Sequence, residues 1–344
     1  MPKVRIQDVA SHAGVSLMTI TRVINNSGYV SPKTRERVQQ SIKSLGYIPN
    51  HIAKALKSSK TGIIGNVLPL ITINQVFARI SQSLKDAALP YGLKILPVYT
   101  EEDPEGDEQM LHELIGRMVE GIIFTDIVRV RREAMLNVIS KKIPIVMIER
   151  PMSVKGVDKL VWDNIKGSLI AASHFIARGH RRLGFIGRKF SKELNEKSEK
   201  DRFEGFRQGL LDAGIILEER NTGLTEKYEV EHGYQAMKQI MEQSREKRPS
   251  GVYTTSDILL CGILQYLYEK GLNVPRDISI ISHDNTLAGM CSPPITSVAI
   301  PFEEMGQTAL SLFHERREGK RLSDKSVVLN PFLVDRGSVL PVTS

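Results

Sequence analysis

The sequence is poor in the features that build disulfide frameworks, metal sites and membrane spans. Its 344 residues include only two cysteines, Cys261 and Cys291, whose spacing fits no metal or redox motif, so we expect two buried thiols. No apolar run approaches the roughly 20 residues of a membrane-spanning helix. Polar residues interrupt the apolar ones after Met1, so no secretory signal is predicted, and we expect a cytoplasmic protein.

Catalytic and cofactor motifs are missing as well. We find no P-loop, no glycine-rich dinucleotide fingerprint after a strand, no zinc-protease motif and no nucleophile motif. His174 and His180 lie on either side of a predicted helix end and do not share a face, so they do not predict a metal site. The sequence therefore predicts no catalytic residue, no metal and no cofactor, which argues against a metabolic enzyme.

Positive charge is concentrated at the N-terminal end. Residues 1–60 carry ten Lys or Arg and two Asp or Glu, which gives a net charge of +8. The whole chain is also +8, so the remaining residues sum to zero. A basic module followed by a neutral body is typical of proteins that bind nucleic-acid phosphates. The chain length indicates two or three domains.

Residues 6–26 have the pattern of two short helices joined by a tight turn. Gly14 suits the turn because it has no Cβ, and Ser16 suits the N-cap of the second helix. Helical spacing predicts these buried positions: Val9, Ala10, Ala13, Ile20, Val23 and Ile24. The pattern favours a helix-turn-helix, although a plain helical hairpin packed on a larger domain would share it.

The opposite face of the second helix is unusual for a solvent surface. Met18, Arg22 and Asn25 point away from the predicted core, with Leu17 and Thr21 on the flanks. In the DNA major groove, arginine pairs with guanine and apolar side chains touch thymine methyl groups. We therefore predict that this face reads DNA.

A third helix and a hinge complete the N-terminal region. Ser31 caps a helix that ends at Gly46, which gives a three-helix headpiece over residues 1–48. Residues 49–61 are predicted to form a hinge helix and linker that fold when two chains meet on DNA, with Leu56 as a minor-groove wedge. The alternative is a plain linker with Leu56 packed on the next domain.

The rest of the chain alternates short apolar strands with helices and predicts an α/β core. Strands are predicted at 63–68, 93–98, 121–125, 143–148, 183–187, 251–255, 278–282, 297–300, 326–330 and 332–335. Helices are predicted at about 74–88, 105–118, 131–140, 165–178, 202–213, 229–243, 257–270 and 302–317. The pattern restarts after Trp162, which indicates two doubly wound parallel sheets with a ligand cleft between them. No heptad tail follows, so we do not expect a coiled-coil tetramer.

Several stretches carry a resemblance when they are taken together. They are IQDVASHAGVS, VSPKTRERV, LGYIPN, NQVFARISQSL, RGHRRLGFIG, DRFEGFRQGL and GLNVPRDISIISHDN. In this combination the sequence resembles the lactose-repressor/galactose-repressor (LacI/GalR) family of transcription regulators. The resemblance implies a helix-turn-helix headpiece, a hinge helix and a periplasmic-binding-protein-like core over residues 62–344. It also implies a homodimer on a palindromic operator, and hence association with the nucleoid.

The family's core would be built from two discontinuous subdomains, because the chain crosses between them three times. The resemblance implies an N-subdomain at about 62–163 and 295–325. It implies a C-subdomain at about 164–294 and 326–344.

The resemblance also implies which residues contact DNA. Leu17, Met18 and Arg22 match base-reading positions, and Leu56 matches an intercalating leucine. The full set expected to contact DNA is Ser16, Leu17, Met18, Thr19, Thr21, Arg22, Asn25, Tyr29, Ala53, Leu56 and Lys57. The Leu17-Met18 pair replaces the more familiar polar or aromatic pair, so the operator sequence is not predicted.

An effector site in the core follows from the same resemblance. The residues expected to bind the effector are Phe77, Glu149, Arg150, Arg202, Tyr228, Ser256, Asp257 and Asp284. Carboxylates and a forked arginine bind hydroxyls, while aromatic rings stack on apolar sugar faces, so a sugar or sugar acid is predicted. Taken singly, Asp284 could cap a turn, Arg202 could be a surface charge and Phe77 could belong to the core.

The sequence features that bear on the effector class do not agree with one another. Met18 beside Arg22, together with NQVFA, is similar to the gluconate- and idonate-responsive branch of the family. Asp284 is acidic, whereas that branch often departs from the family there. Arg150, Arg188 and Arg202 could nevertheless hold a carboxylate.

We therefore predict a ligand-responsive transcriptional regulator, most consistent with a repressor of sugar or sugar-acid catabolic genes, and not an enzyme. The alternatives are a solute-binding component or a sugar-metabolising enzyme with the same two-lobed core. A solute-binding component would need an export signal and would not carry the basic headpiece. The sequence leaves open whether the effector releases DNA or recruits it; release is commoner among sugar-responsive relatives.

Overall fold

The structure is a computed structural model that describes residues 4–48, 61–69, 75–100, 103–125, 131–149, 152, 154–190 and 197–342. The chain divides into two compact units, Met1–Thr61 and Gly62–Ser344. The predicted hinge helix lies outside the described residues. In the described part of the chain, no helix combines the length and the apolar character that a membrane crossing requires.

Within residues 4–48, the first unit contains three helices, as predicted: α1 (Ile6–Ala13), α2 (Leu17–Ile24) and α3 (Pro32–Ser44). Gly14 ends α1 with a left-handed backbone, φ 61°. The Ser16 hydroxyl accepts the backbone N–H of Thr19 at 3.2 Å and caps α2. The three helices pack around a small apolar core centred on Val9, Ile20 and Val38. The cap, the turn and the apolar stripe therefore agree on one local structure, which leaves the other face of α2 exposed.

The second unit contains two six-stranded sheets. The first sheet has the order β11-β5-β4-β3-β1-β2, and its strands are β1 (Ile63–Leu68), β2 (Lys94–Tyr99), β3 (Gly121–Phe124), β4 (Ile145–Ile148), β5 (Asp158–Trp162) and β11 (Ser326–Leu329). The second has the order β12-β10-β9-β8-β6-β7, and its strands are β6 (Leu183–Arg188), β7 (Thr222–Thr225), β8 (Gly251–Thr254), β9 (Ser279–Asp284), β10 (Thr296–Ala299) and β12 (Phe332–Val334). All pairings are parallel except β10 with β12.

Helices cover both sheets, as expected for parallel strands that are buried on both faces. They are α4 (Gln75–Ala88), α5 (Pro104–Gly116), α6 (Arg132–Ser140), α7 (Asn164–Ala177), α8 (Lys197–Leu211), α9 (Val230–Met241), α10 (Asp257–Glu269) and α11 (Phe302–Arg317). In the first subdomain, α4 and α11 pack on one face of the sheet around Ile80 and Phe313. In the second, α9 and α10 pack around Met237 and Ile263.

Two boundaries of the predicted subdomains are wrong. Strand β10 was expected in the N-subdomain but pairs with β9 in the second sheet, whereas β11 was expected in the C-subdomain but pairs with β5 in the first. The chain therefore crosses between sheets after Trp162, between β10 and α11, and between β11 and β12. The consecutive strands β11 and β12 belong to different sheets. Each of them adds an edge strand to its own sheet, which apolar pattern alone could not assign.

Candidate functional site

The first candidate site is the exposed face of α2. Leu17 and Met18 are 44% and 64% exposed, and Tyr29 in the following loop is 86% exposed. Arg22 and Asn25 are exposed on the same helix. An apolar pair beside an arginine loses contact with water only when something docks on it, so this face suits a groove better than solvent.

The Arg22 side chain lies against the loop after α2. Gly28 has a left-handed backbone, φ +65°, and a Cβ built there would lie 3.5 Å from Cδ and Nε of Arg22. The arginine therefore lies along the bare backbone of Gly28. The hydroxyls near this face are engaged locally, since Thr21 Oγ1 donates to the Leu17 carbonyl at 2.9 Å and Thr19 Oγ1 pairs with Ser16 Oγ at 3.0 Å. Arg22 and Asn25 are thus better placed than the two threonines to reach base edges.

Four predicted site residues cannot be placed. Ala53, Leu56 and Lys57 of the hinge and Arg150 of the effector set lie outside the described residues. Their assignments stay predictions.

The second candidate site is a cavity of about 120 Å³ in the core unit. Its walls come from α4, α8, the segments that follow β4 and β8, and the ends of β6 and β9. The lining residues are Val76, Phe77, Glu149, Arg188, Ser198, Glu199, Arg202, Tyr228, Ser256 and Asp284. Six of the eight predicted effector residues are therefore brought together from both subdomains, at the carboxyl ends of their strands.

Neutral acceptors fix the orientation of Arg202 in this cavity. Its Nε donates to Asn164 Oδ1 at 2.8 Å, and its Nη1 donates to the Thr255 carbonyl at 2.8 Å. Asn164 Oδ1 also accepts the indole N–H of Trp162 at 3.0 Å. Because neutral acceptors hold the guanidinium in one orientation, it is preorganised for a ligand, and its nearest carboxylate, Asp284, lies beyond hydrogen-bond distance.

Asp284 faces this arginine. Its Oδ1 lies 3.6 Å from Arg202 Nη1, and among the described residues no hydrogen-bond donor reaches that oxygen. The Ser256 hydroxyl and the Asp257 backbone N–H bind the carboxylate, but burial outweighs them and the Arg202 charge and raises the pKa of Asp284 to about 7. A buried acceptor with unused capacity is suited to a ligand hydroxyl.

Two of the cavity carboxylates sit on unusual backbone. Glu149, just after β4, has φ 67°, and Asp284, at the end of β9, has φ 86°. Left-handed backbone at a non-glycine residue costs free energy and is concentrated at binding sites. Each residue turns the chain sharply where a strand reaches the cavity, one in each subdomain.

Arg188 and Tyr228 form the opposite wall with Glu199. Arg188 Nη1 lies 3.4 Å from Glu199 Oε1, and the guanidinium carbon lies 6.0 Å from the centre of the Tyr228 ring. Burial, together with the Glu199 charge, raises the pKa of Tyr228, so this phenol stays protonated. It can act as a hydrogen-bond donor as well as a flat apolar surface.

Sequence reasoning missed three of the lining residues. Val76 shares α4 with Phe77, while Ser198 and Glu199 lie in the first turn of α8. Helix α8 was expected to begin only at Arg202, because its first turn, KSEKD, lacks apolar periodicity. The heptapeptide KSEKDRF read as one helix would have put Glu199 on the turn before Arg202 and could have identified it.

Asp257 is a correction to the predicted effector set. It does not line the cavity. Its Oδ2 accepts the backbone N–H groups of Thr286, Leu287 and Ala288 at 2.6, 2.7 and 3.1 Å, and its Oδ1 accepts the Ser282 hydroxyl. These bonds use the carboxylate to fix the loop after β9, so its role is structural.

A buried row of hydrogen-bonded side chains ends at His283, the residue before Asp284. Ser168 Oγ lies 3.1 Å from the Tyr253 hydroxyl, which lies 2.7 Å from His283 Nδ1. Burial, followed by the Arg202 charge, lowers the pKa of His283 well below its usual value, so this imidazole is neutral. These three hydrogen-bonded side chains therefore add no further charge next to Arg202.

A larger groove of about 590 Å³ lies between α4 and α11, lined in part by Arg79, Phe302 and Glu303. Its ion pair, Arg79 with Glu303, is solvent-exposed at 52% and 80%. None of the predicted effector residues lines it. We therefore take the smaller cavity, where buried charges converge, as the effector site.

The chain matches two family models. One is described as bacterial regulatory proteins, lacI family, and matches residues 5–50. The other is described as a periplasmic binding protein-like domain and matches residues 172–339. The first match covers α1 to α3, and the second covers all six strands of the second sheet.

Known proteins align along the whole length of the chain. HTH-type transcriptional regulator DegA of Bacillus subtilis (strain 168) is 33% identical over 345 residues, which covers 99% of this chain and 100% of DegA. The solved transcriptional regulator CelR–cellobiose complex is 28% identical with a TM-score of 0.69, covering 98% of this chain and 100% of that chain. The Lac repressor dimer bound to operator and an anti-inducer covers the same shares at 23% identity and a TM-score of 0.76, a likeness of fold.

Proposed function

Because the chain belongs to the lacI family of bacterial regulatory proteins, DNA-binding transcriptional regulators with a ligand-binding core, we propose that it is a repressor controlled by a sugar-class effector in the cavity around Arg202 and Asp284. Its relatives are regulators rather than enzymes. The observation that carries the proposal is the buried Arg202–Asp284 pair, which joins a preorganised donor to an unused acceptor.

The effector is a neutral polyol rather than a sugar acid. Among the described residues, three carboxyl groups, those of Glu149, Glu199 and Asp284, line the cavity with two guanidinium groups. An added ligand carboxylate would meet this acidic excess in a buried site, whereas hydroxyls can donate to the carboxylates and accept from Arg202. Phe77 and Tyr228 supply apolar surface for a sugar ring. The cellobiose complex of the related regulator supports this class. The gluconate and idonate branch is therefore the second candidate, favoured by the arginines that could hold a carboxylate, Arg150, Arg188 and Arg202, and by the sequence likeness.

The DNA partner is a palindromic double-stranded operator read by two copies of α2, one from each chain of a homodimer. The relative solved as a dimer on its operator supports this arrangement. Leu17, Met18, Arg22 and Asn25 would contact bases, and the hinge would bend the centre of the site. Such a regulator works in the cytoplasm on the nucleoid. Effector and operator affinities are then coupled reciprocally, and we expect the effector to release DNA.

Two measurements on the full-length protein test this function. A thermal-shift panel of neutral sugars and the matching aldonic acids should give stabilisation by a neutral sugar, because a ligand that binds only the folded state raises its melting temperature. The same sugar should then weaken binding to an operator fragment in a gel-shift assay. Stabilisation by an aldonic acid alone would favour the second candidate. Turnover of any sugar, or no salt-sensitive binding to any duplex, would contradict the regulator.

A further inference from the structure

The fold brings the two cysteines together, although β9 separates them in the sequence. Cys261 lies on α10, one turn after Asp257, and Cys291 directly follows a short 3-10 turn at Ala288–Met290. The two thiols influence each other, since each shifts the pKa of the other, and Cys291 Sγ donates to the Leu287 carbonyl at 3.6 Å. The sequence predicted two buried thiols, and the structure places both as half-buried free thiols.

The carboxylate of Asp257 fixes this proximity. It accepts three consecutive backbone N–H groups, those of Thr286, Leu287 and Ala288, and so ties the loop before Cys291 to the first turn of α10. Cys261 follows on the same helix, one turn along. Charge-assisted hydrogen bonds of this kind are strong when buried, so the two sulfurs are held as neighbours by the backbone around them.

The pair also has an asymmetric reactivity. The hydrogen bond from Cys291 outweighs burial and lowers the pKa of Cys261 to about 7, while the same bond and burial raise the pKa of Cys291. A large share of Cys261 is therefore thiolate near neutral pH, and the thiolate is the form that attacks oxidants. Cys291 stays protonated next to it.

We propose that Cys261 and Cys291 form a dithiol site that a hydroperoxide oxidises to an intramolecular disulfide in the folded protein. The Cys261 thiolate attacks one peroxide oxygen, the O–O bond breaks, hydroxide leaves, and Cys261 becomes a sulfenic acid. The Cys291 sulfur then attacks the Cys261 sulfur, the S–O bond breaks, and water leaves with the Cys291 proton. The two sulfurs lose two electrons in total, and the peroxide gains them.

The disulfide would act on the segment that carries Asp284. It would close a covalent loop containing β9 and tie that loop to α10, the helix whose N-cap Ser256 binds the Asp284 carboxylate. Neither cysteine lines the effector cavity, so oxidation leaves the lining residues chemically unchanged. The site is therefore independent of the effector's identity, and its test does not depend on the proposed function.

The experiment treats the full-length native protein with hydrogen peroxide and counts free thiols after quenching. We expect both thiols to disappear together and a non-reducing peptide map to show Cys261 joined to Cys291 within one chain. Dithiothreitol should restore both thiols. The oxidised protein should also melt at a higher temperature, because the cross-link restricts the unfolded chain.

Two single variants separate the roles of the cysteines. In Cys291→Ser, Cys261 should stop at the sulfenic acid, which dimedone traps. In Cys261→Ser, Cys291 should remain a thiol at the same peroxide dose. Persistence of both wild-type thiols, oxygen adducts without a cross-link, or a disulfide between two chains on a non-reducing gel would each overturn the proposal. If a variant fails to fold, the wild-type peptide map alone decides between these outcomes.

Discussion

Arg202 and Asp284 are only 6% and 5% exposed in their side chains, and their nearest charged atoms, Nη1 and Oδ1, are 3.6 Å apart. That separation is too long for a hydrogen bond, although both groups are buried. The guanidinium instead donates its short hydrogen bonds to Asn164 and the Thr255 carbonyl. A buried pair that does not close on itself leaves both partners able to bind a third group, which is the physical basis of the effector site.

Replacement of Asp284 by Asn should weaken effector binding. The amide keeps the shape of the side chain but loses one acceptor and the negative charge that balances Arg202. We therefore expect the apparent effector affinity, obtained from the thermal shift as a function of effector concentration, to fall at least tenfold. Operator binding without effector should be unchanged. The matched control is Asp277→Asn, an exposed carboxylate in the same subdomain. An Asp284→Asn protein that responds at the wild-type effector concentration would remove Asp284 from the site.

The raised pKa of Asp284 predicts a pH dependence of stability. Burial raises this pKa to about 7 in the folded protein, against about 4 for an unfolded aspartate. The folded state therefore holds a proton that the unfolded state releases, so this group's stabilising contribution is full below about pH 4 and is lost as the pH rises towards 7. Since asparagine cannot titrate, unfolding curves from pH 4 to 8 should show Asp284→Asn gaining stability relative to wild type across that window. A constant difference would contradict the shifted pKa.

The sequence predicted the helices and strands of this fold better than it predicted which strands pair with one another. Strand β1 and helix α11 match their predicted bounds, since β1 is mostly apolar and α11 repeats its apolar residues at helical spacing. Strand β5 was missed because Asp158 and Lys159 break its apolar run, and β7 because TGLT is short and contains glycine. Sheet membership of β10 and β11 depends on tertiary pairing, which periodicity does not encode.

The residues of the candidate site were likewise predicted only in part. Family motifs identified Phe77, Arg202 and Asp284, but nothing local distinguishes Glu199 from a solvated helix charge. Asp257 was assigned to the effector set from the family resemblance, whereas in the structure its carboxylate binds the loop after β9. The neighbouring cysteines show the same limit, since only the fold brings them together.

Asp158 should be a major contributor to stability. Its carboxylate accepts Arg321 Nη1 and Nη2 at 2.8 Å each, Arg316 Nε at 3.1 Å and the Lys325 backbone N–H at 2.9 Å. Burial alone would raise the pKa of Asp158, but these partners hold it below its usual value. Asp158→Ala should therefore cost about 3–5 kcal/mol of unfolding free energy, measured in urea, because two arginines lose a buried partner.

The control for that substitution is Glu108→Gln. Glu108 pairs with Arg131 at 2.6 Å, but on the surface, where solvent and salt screen the interaction. We expect little change in its urea midpoint. Equal effects of the two substitutions would show that the Asp158 network does not hold the segment between α11 and β11.

Leu56 provides a prediction for the hinge, which rests on sequence. If this leucine wedges between base steps, Leu56→Ala should reduce DNA bending in a circular-permutation gel assay and weaken operator binding, because the bend is maintained by the inserted side chain. Effector affinity should not change. Ser58→Ala in the same segment is the control. Undiminished bending by Leu56→Ala would favour the plain linker.

Arg22 separates base reading from phosphate binding. It is exposed on α2 and lies along Gly28, so its removal leaves the headpiece core around Ile20 intact. A bidentate contact to guanine would make Arg22→Ala cost about 1–3 kcal/mol on the operator and relax the preference at one base position. Lys33→Ala, which removes an exposed charge from the first turn of α3, should instead weaken all duplexes alike and reduce the salt dependence of binding. Fluorescence anisotropy on the operator and on a scrambled duplex distinguishes the two. Equal losses on both duplexes for Arg22→Ala would assign Arg22 to the phosphate backbone and leave Leu17, Met18 and Asn25 to specify the sequence.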